Sequence, residues 1–292
     1  MTLKSYAFIG LGVMGYPMSG HVATAGYPTR VYNRTPTKMA QWKAIYPGQI
    51  CTAPSQAAIG SDIVALCVGN DQDVREVVYG RNGVLATMKP GSILIDHTTT
   101  SAELAIELNA ACQRQQIHFI DAPVSGGQSG AEQGTLTIMC GGEQTIIDAI
   151  RPILSCYGQQ ISYLGTAGQG QRCKMINQIC IAGILQGLSE ALLLAQKSEL
   201  DITQVIHTLK LGAAGSWQME NRAQTMTQDS FDFGFAIDWM LKDLNICRHE
   251  AQKHQLQLPM TDAVYTRYQS LQAQGLGRMD TSALIKACTL AA

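Results

Sequence analysis

Tyr6-Ala7-Phe8-Ile9-Gly10-Leu11-Gly12-Val13-Met14-Gly15, YAFIGLGVMG in one-letter code, carries the architecture of this chain. Four apolar, β-favouring residues read as a short buried strand, and Gly10, Gly12 and Gly15 follow with G-x-G-x-x-G spacing. Each glycine meets a different physical demand. One permits the tight turn, the next lets a pyrophosphate approach bare backbone, and the third lets the following helix, Met14 to Ala25, pack close to its strand. The phosphates then meet the positive end of that helix. The spacing alone is a weak signal, but between a strand and a helix it predicts a dinucleotide-binding βαβ unit. Gly10, Leu11, Gly12, Val13, Met14 and Gly15 are therefore candidate cofactor contacts.

The next strand, Thr29 to Tyr32, ends at Asn33-Arg34-Thr35. A site for NAD usually carries a carboxylate there for the ribose hydroxyl, and none stands here. Arg34, with Thr35 and Lys38 close by, suits a 2′-phosphate instead. The expectation is NADP(H), with NAD(H) as the alternative, and with Asn33, Arg34, Thr35 and Lys38 among the contacts.

Strand-like runs at 61–68 (SDIVALCV), 92–95 (SILI) and 118–120 alternate with helical stretches at 72–79 and 101–114. Such alternation predicts a parallel sheet covered on both faces, with ligands beyond the carboxyl ends of the strands. Those ends are Val68-Gly69-Asn70, Asp96-His97-Thr98-Thr99 and Asp121-Ala122-Pro123. Thr98 and Thr99 suit two roles equally, capping the helix at Ala102 or touching cofactor. In Asp121 to Gly127 (DAPVSGG) a proline sets a bend, and the Ser125 hydroxyl with the N–H groups of Gly126 and Gly127 can converge on an anion. A plain turn is the competing reading. Two further strands, 135–139 and 161–164, flank a helix at 143–153.

At Gly165 to Gln178, GTAGQGQRCKMINQ, a glycine-rich turn opens a long apolar helix that reaches about Lys197. Met175, Ile176, Ile179, Ile181, Ile184, Leu185, Leu188, Leu192 and Leu194 spread around its circumference, which predicts burial on nearly every side. Lys174, Asn177 and Gln178 share one face. A lysine held there loses solvation and its pKa moves down toward the range of proton transfer, so Lys174 is the candidate acid/base, against the ordinary solvated lysine near a helix start. Helical runs at 202–211, 236–252, 260–274 and 281–290 follow without strands. The fold class is α/β: a Rossmann-type parallel-sheet domain, 1–164, then an all-α domain, 165–292, joined by the long helix. Small ligands are expected at such a junction.

With 292 residues, 46% apolar and 15% charged, the chain can bury ample core. A net charge of −1 and the lack of any basic run argue against nucleic acid and anionic membranes as partners. The apolar segment from Ile179 to Ala195 is interrupted by Gln186, Ser189 and Glu190, as suits a core helix rather than a membrane span. MTLKSYAFIG, the first ten residues, shows no charged n-region, long apolar h-region or small-residue cleavage site, so export is not expected. Nine singly placed cysteines suit a reducing cytosol. With no Cys-x-x-Cys, and with His249 and His254 roughly 140° apart on a helix, no metal is expected.

FIGLGVMGYPMSGHV (Phe8 to Val22), DAPVSGG, GQGQRCKMINQ (Gly168 to Gln178) and FAIDWMLKDL (Phe235 to Leu244) occur in that order. Carrying them, the chain over essentially its whole length resembles the β-hydroxyacid dehydrogenases, which include 3-hydroxyisobutyrate dehydrogenase, tartronate semialdehyde reductase and glyoxylate/succinic semialdehyde reductases and have a 6-phosphogluconate dehydrogenase-like cofactor domain. The resemblance implies a cytoplasmic homodimer or homotetramer that moves a hydride between NADP(H) and a small carboxylate, a β-hydroxyacid or its semialdehyde. It implies Lys174 as general acid/base, Ser125, Gly126 and Gly127 as carboxylate ligands, and an amide after the lysine as substrate orienter. It further implies Thr99 and Lys242 as cofactor contacts, beside Val68 from the strand-end rule, with Asp243 next to Lys242 and Phe235 as an apolar wall. Many members place asparagine four residues after the lysine, where this chain has Gln178 with Asn177 just before it, so both amides are candidates. Two rival readings are an imine reductase-like NADPH-dependent reductase, a group that usually lacks this lysine, and a non-catalytic nucleotide-binding scaffold.

Overall fold

The computed structural model describes residues 4–288. The chain divides into two compact units between Lys174 and Met175, inside the long helix. In the first unit β1 (Tyr6–Ile9), α1 (Gly15–Thr24), β2 (Thr29–Tyr32), α2 (Pro36–Ile45), β3 (Gln49–Ile50), α3 (Pro54–Ala58), β4 (Ile63–Leu66), α4 (Asp71–Tyr79), β5 (Ile93–Asp96), α5 (Ala102–Arg114) and β6 (His118–Asp121) follow one another. The strands lie side by side as β3-β2-β1-β4-β5-β6, all parallel. This order places the carboxyl ends of β1, β4, β5 and β6 on one rim. Along β1, Tyr6 and Phe8 enter one core cluster and Ala7 and Ile9 the other. Both faces are thus buried, which is why these strands read as unbroken apolar runs.

The sheet does not stay parallel. Past Pro123 the chain runs through β7 (Val124–Ser125), α6 (Gly127–Gln133), β8 (Leu136–Gly142), α7 (Gln144–Leu154) and β9 (Gly158–Tyr163). β8 is antiparallel to both β6 and β7, and β9 is parallel to β8. Gly126 and Gly127 take φ of 134° and 62°, values that fold the chain back and reverse its direction. Two helices of this unit escape a periodicity reading: α2 buries only Met39 and Trp42, too thin an apolar stripe, and α3 is five residues long.

The second unit is helical. α8 (Gln169–Lys197) leads into α9 (Ile202–Leu209), α10 (Trp217–Thr227), α11 (Ile237–Lys253), α12 (Pro259–Ala273), a 3-10 turn and α13 (Leu284–Ala287). Leu185, Leu188 and Leu192 of α8 pack in one cluster with Met240, Leu244, Val264, Tyr268 and Leu284. α10 has no counterpart in the sequence reading, because Met219, Ala223 and Met226 are its sole buried residues amid polar ones. The part of the run at 281–290 beyond Cys288 lies outside the described residues.

α8 corrects one expectation. It is not buried on nearly every side: Ile176 is 63% exposed and Leu194 68%, with Cys180 and Ile184 exposed between them. Ile176, Cys180 and Ile184 stand four apart and Leu194 lies about five full turns beyond Ile176, which aligns them on one stripe, opposite the leucines that enter the core. Apolar residues all round the helix therefore serve two faces, one packed within this chain and one left open. By length and composition α8 could cross a membrane, yet Gln178, Gln186 and Ser189 on it are buried polar groups of a packed core helix.

Candidate active site

The turn after β1 separates the roles of its glycines. A side chain on Gly10, at φ 99°, would run into the Cys67 carbonyl, and one on Gly15 into the Gly10 carbonyl and the Phe8 ring. At Gly12 an added carbon would meet nothing within 4 Å among the described residues. Gly10 and Gly15 are thus glycine for the sake of packing. Gly12 leaves open the space in front of α1 that a pyrophosphate needs, so the residues present fit a dinucleotide. Val13 is exposed, with Leu11 buried behind it. The Leu11 N–H donates to Asn33 Oδ1 at 2.9 Å, and Asn33 Nδ2 donates to the Thr35 carbonyl at 3.1 Å. Asn33 therefore ties the fingerprint turn to the end of β2. Arg34 stands 82% exposed beside it, 3.6 Å from Asp73 of α4, and Thr35 and Lys38 are exposed as well.

The ends of β4 and β5 are laced together. Val68 N–H donates to Thr98 Oγ1 at 3.0 Å, and Thr98 N–H donates to Asp96 Oδ1 at 2.8 Å. Neither threonine caps α5. That role falls to Ser101, whose Oγ accepts from Leu104 N–H. Thr99 lies half-buried between its buried neighbours Thr98 and Thr100. His97 is buried, bonded to the Ala122 carbonyl and the Tyr157 hydroxyl, and burial pushes its pKa down to about 4, so it stays neutral.

Burial pushes the Asp96 carboxyl up to about 7, against the bond from Thr98. Among the described residues its Oδ2 has no hydrogen-bond partner. An unfolded chain ionises this group above about pH 4, whereas the fold keeps the proton until about pH 7, so the stability it contributes is lost as pH rises through that window. A side-chain amide in the same place cannot titrate. We expect the stability difference between Asp96→Asn and the wild type to move in the variant's favour between pH 4 and 7.5, by on the order of a few kcal/mol. Urea midpoints across that range measure it, and parallel curves would contradict the buried-carboxyl account.

Asp121, at the end of β6, does something its motif did not announce. Its Oδ1 accepts from Gly168 N–H at 2.8 Å and its Oδ2 from Gln171 N–H at 2.9 Å. These are orphan donors at the start of α8, so a strand-end carboxylate anchors the helix. Burial pushes Asp121 up to about 6, and the N–H bonds work against that rise. Lys174 follows within the next turn and is only 8% exposed. In the same unit Ser125 is half-buried, and Gly126 and Gly127 are exposed at the start of α6, whose first N–H groups lack intrahelical partners.

Within the second unit four candidates form one chain of contacts. Asn177 Nδ2 donates to Gln178 Oε1 at 2.8 Å, and Gln178 Nε2 donates to Asp243 Oδ2 at 2.7 Å. Lys242 Nζ lies 2.9 Å from Asp243 Oδ1. Gln178 and Asp243 are buried, whereas Asn177 and Lys242 are half-buried. Phe235 is half-buried, its N–H donating to Asp280 Oδ2 at 2.8 Å.

Comparison with known proteins adds the family. Residues 5–165 match the NAD binding domain of 6-phosphogluconate dehydrogenase, and residues 168–288 match the NAD-binding domain of NADP-dependent 3-hydroxyisobutyrate dehydrogenase. 2-Hydroxy-3-oxopropionate reductase of Escherichia coli K12 is 34% identical over 98% of this chain and 97% of its own. The chain belongs to the β-hydroxyacid dehydrogenase family. An oxidoreductase of Shewanella frigidimarina with no assigned substrate is 51% identical over 97% of both chains. The solved structure of 3-hydroxyisobutyrate dehydrogenase from Mycobacterium tuberculosis with L-serine superposes with a TM-score of 0.89 at 27% identity, covering 99% of this chain and all of that one.

Like other β-hydroxyacid dehydrogenases, this protein is an NAD(P)-dependent oxidoreductase with a Rossmann domain followed by a helical region. Sequence reasoning named Asp121 only as a strand end and missed its hold on α8, and it did not single out Gln171. The one available signal for Asp121 was a lone acid at the end of an apolar strand; Gln171 had none beyond its closeness to Lys174.

Proposed function

We propose that this β-hydroxyacid dehydrogenase prefers NADP(H) and interconverts a small β-hydroxyacid and its semialdehyde, with Lys174 as general acid/base. The observation that carries this reading is a nearly buried lysine on the first turns of a helix whose start is clamped by Asp121, in the unit that holds the open Gly12 turn. When bound, the nicotinamide supplies or takes up the hydride. Gly10 to Gly15 hold its pyrophosphate, with Val68 and Thr99 at the neighbouring strand ends; Lys242 is assigned to the cofactor by likeness to the family. Ser125, Gly126 and Gly127 bind the substrate carboxylate through a hydroxyl and N–H groups. Lys174 gives a proton to the carbonyl oxygen during reduction and takes it from the hydroxyl during oxidation. Gln178 braces Asp243, and the bonded pair of Asn177 and Gln178 supplies the amide that orients substrate. Phe235 supplies apolar surface. Residues 1–164 form the cofactor domain and 165–292 the substrate and assembly domain. A cytoplasmic homodimer or homotetramer fits the open apolar stripe on α8.

The test is loss of NADPH absorbance with semialdehydes, ketoacids and cyclic imines. Semialdehydes bearing a carboxylate should be reduced, and their analogues without it should not. Reduction of the imines alone would replace the reading with an imine reductase, and no turnover of any class would leave a scaffold.

Cofactor preference is assigned to Arg34, whose guanidinium is free to swing toward a 2′-phosphate at the cost of a weak, exposed contact with Asp73. Arg34→Ala should lower the NADP(H) to NAD(H) ratio of kcat/KM by about tenfold or more, mainly through KM for NADP(H). An unchanged ratio would remove Arg34 from the assignment.

A further inference from the structure

Gln171 has no role in the scheme above. It sits in the first turn of α8 with none of its surface exposed. Its Nε2 donates to the Thr98 carbonyl at 2.8 Å and its Oε1 accepts from Thr100 N–H at 3.1 Å. Those two groups belong to the peptides on either side of Thr99. The side-chain amide therefore holds this loop as an adjacent strand would, by one donated and one accepted bond. Meanwhile the backbone N–H of Gln171 is fixed to Asp121. Lys174 lies three residues on, one turn further along the same side of the helix.

A buried amide could serve packing alone. Two features point further. The bonds grip the segment assigned to cofactor, and they issue from the helix that carries the assigned proton donor, so they fix the distance between the two groups. Asp121 fixes the helix start to the sheet, and the Gln171 amide ties that same turn to the Thr99 loop. We propose that Gln171 is a positioning residue that sets the alignment of the Thr99 loop with the Lys174 amine. The proposal rests on Lys174 being the acid/base.

Chemistry supplies a selective test. A neutral carboxylic acid has one oxygen that accepts and one O–H that donates, so Gln171→Glu in its protonated form reproduces both bonds. Once ionised it can only accept, and it turns a carboxylate toward the Thr98 carbonyl. Gln171→Met fills a similar volume and makes neither bond. Among the described residues, the titratable and charged groups on the elements that meet this position include Asp121 and Asp96 at the ends of β6 and β5, Asp71 of α4, which bonds Ser101, and Arg172 and Lys174 on α8. Wild type carries all of these, so the variant-to-wild-type ratio of kcat reports on residue 171.

That ratio for Gln171→Glu should be near one at low pH and fall by about tenfold to a hundredfold as pH rises, a loss on the scale of a small misplacement of reacting groups. Cofactor Kd should change less than kcat. Gln171→Met should be slow at every pH. A flat ratio for Gln171→Glu, a wild-type kcat for Gln171→Met, or a kcat loss that merely follows the unfolded fraction in thermal melts would each overturn the proposal. Lys174→Ala assayed alongside separates the two ideas. Retained turnover there defeats the acid/base reading, whereas an inactive Lys174→Ala with a flat Gln171→Glu ratio defeats only the positioning role.

Discussion

Lys174→Ala should lower turnover by two or more orders of magnitude while NADPH affinity stays within about threefold, the scale and pattern of a lost general acid. The separation follows from placement. The fingerprint turn is built from β1 and α1, with Asn33 bonded to Leu11, and none of those contacts involves α8. Removing an amine from α8 leaves them in place. Lys174→Arg tests whether charge alone is enough, since a guanidinium keeps its proton at any working pH and cannot transfer it. It should be nearly as slow as the alanine variant. Steady-state rates with a semialdehyde substrate, together with NADPH fluorescence titrations, measure both quantities. Turnover near wild type in either variant removes Lys174 from the chemistry.

Gly12→Val should fold normally and bind cofactor at least about a hundredfold more weakly. Among the described residues an added Cβ there meets nothing within 4 Å, and the backbone is outside the left-handed region, so the fold does not itself require glycine at this position. The space it fills is the one a pyrophosphate must enter to reach bare backbone. Gly10→Ala makes the contrast. Its methyl would strike the Cys67 carbonyl at φ 99°, so this change should cost stability before it costs affinity. Melting temperatures with and without NADPH separate the two outcomes. A collapsed melting temperature in Gly12→Val, or an unchanged Kd, would show that this glycine serves packing instead.

Much of this protein can be read along the chain because the relevant signals are short in range. Strand, turn and helix lie within ten residues at Tyr6 to Gly15, and the burial of β1 on two faces follows from its apolar run. Elements with sparse apolar residues, such as α2 and α10, gave no such signal. The helix of Lys174 was legible as a helix, but its surroundings were not. Nine apolar residues around its circumference suggested full burial, and the structure uses only one side of them for its own core.

Local sequence determined the glycine turn, the strand-helix alternation, and the face shared by Lys174, Asn177 and Gln178, since each depends on bond geometry and a repeat of two or 3.6 residues. Tertiary structure decided what holds that face in place. Asp121 reaches α8 across 47 and 50 residues, Gln171 reaches Thr98 across 73, and Gln178 reaches Asp243 across 65. Such pairings follow from which strand ends meet which helix start, and no local period encodes that register. A buried polar group must find a partner wherever the packed chain brings one, so the residues that brace the candidate site become visible only once the chain has folded.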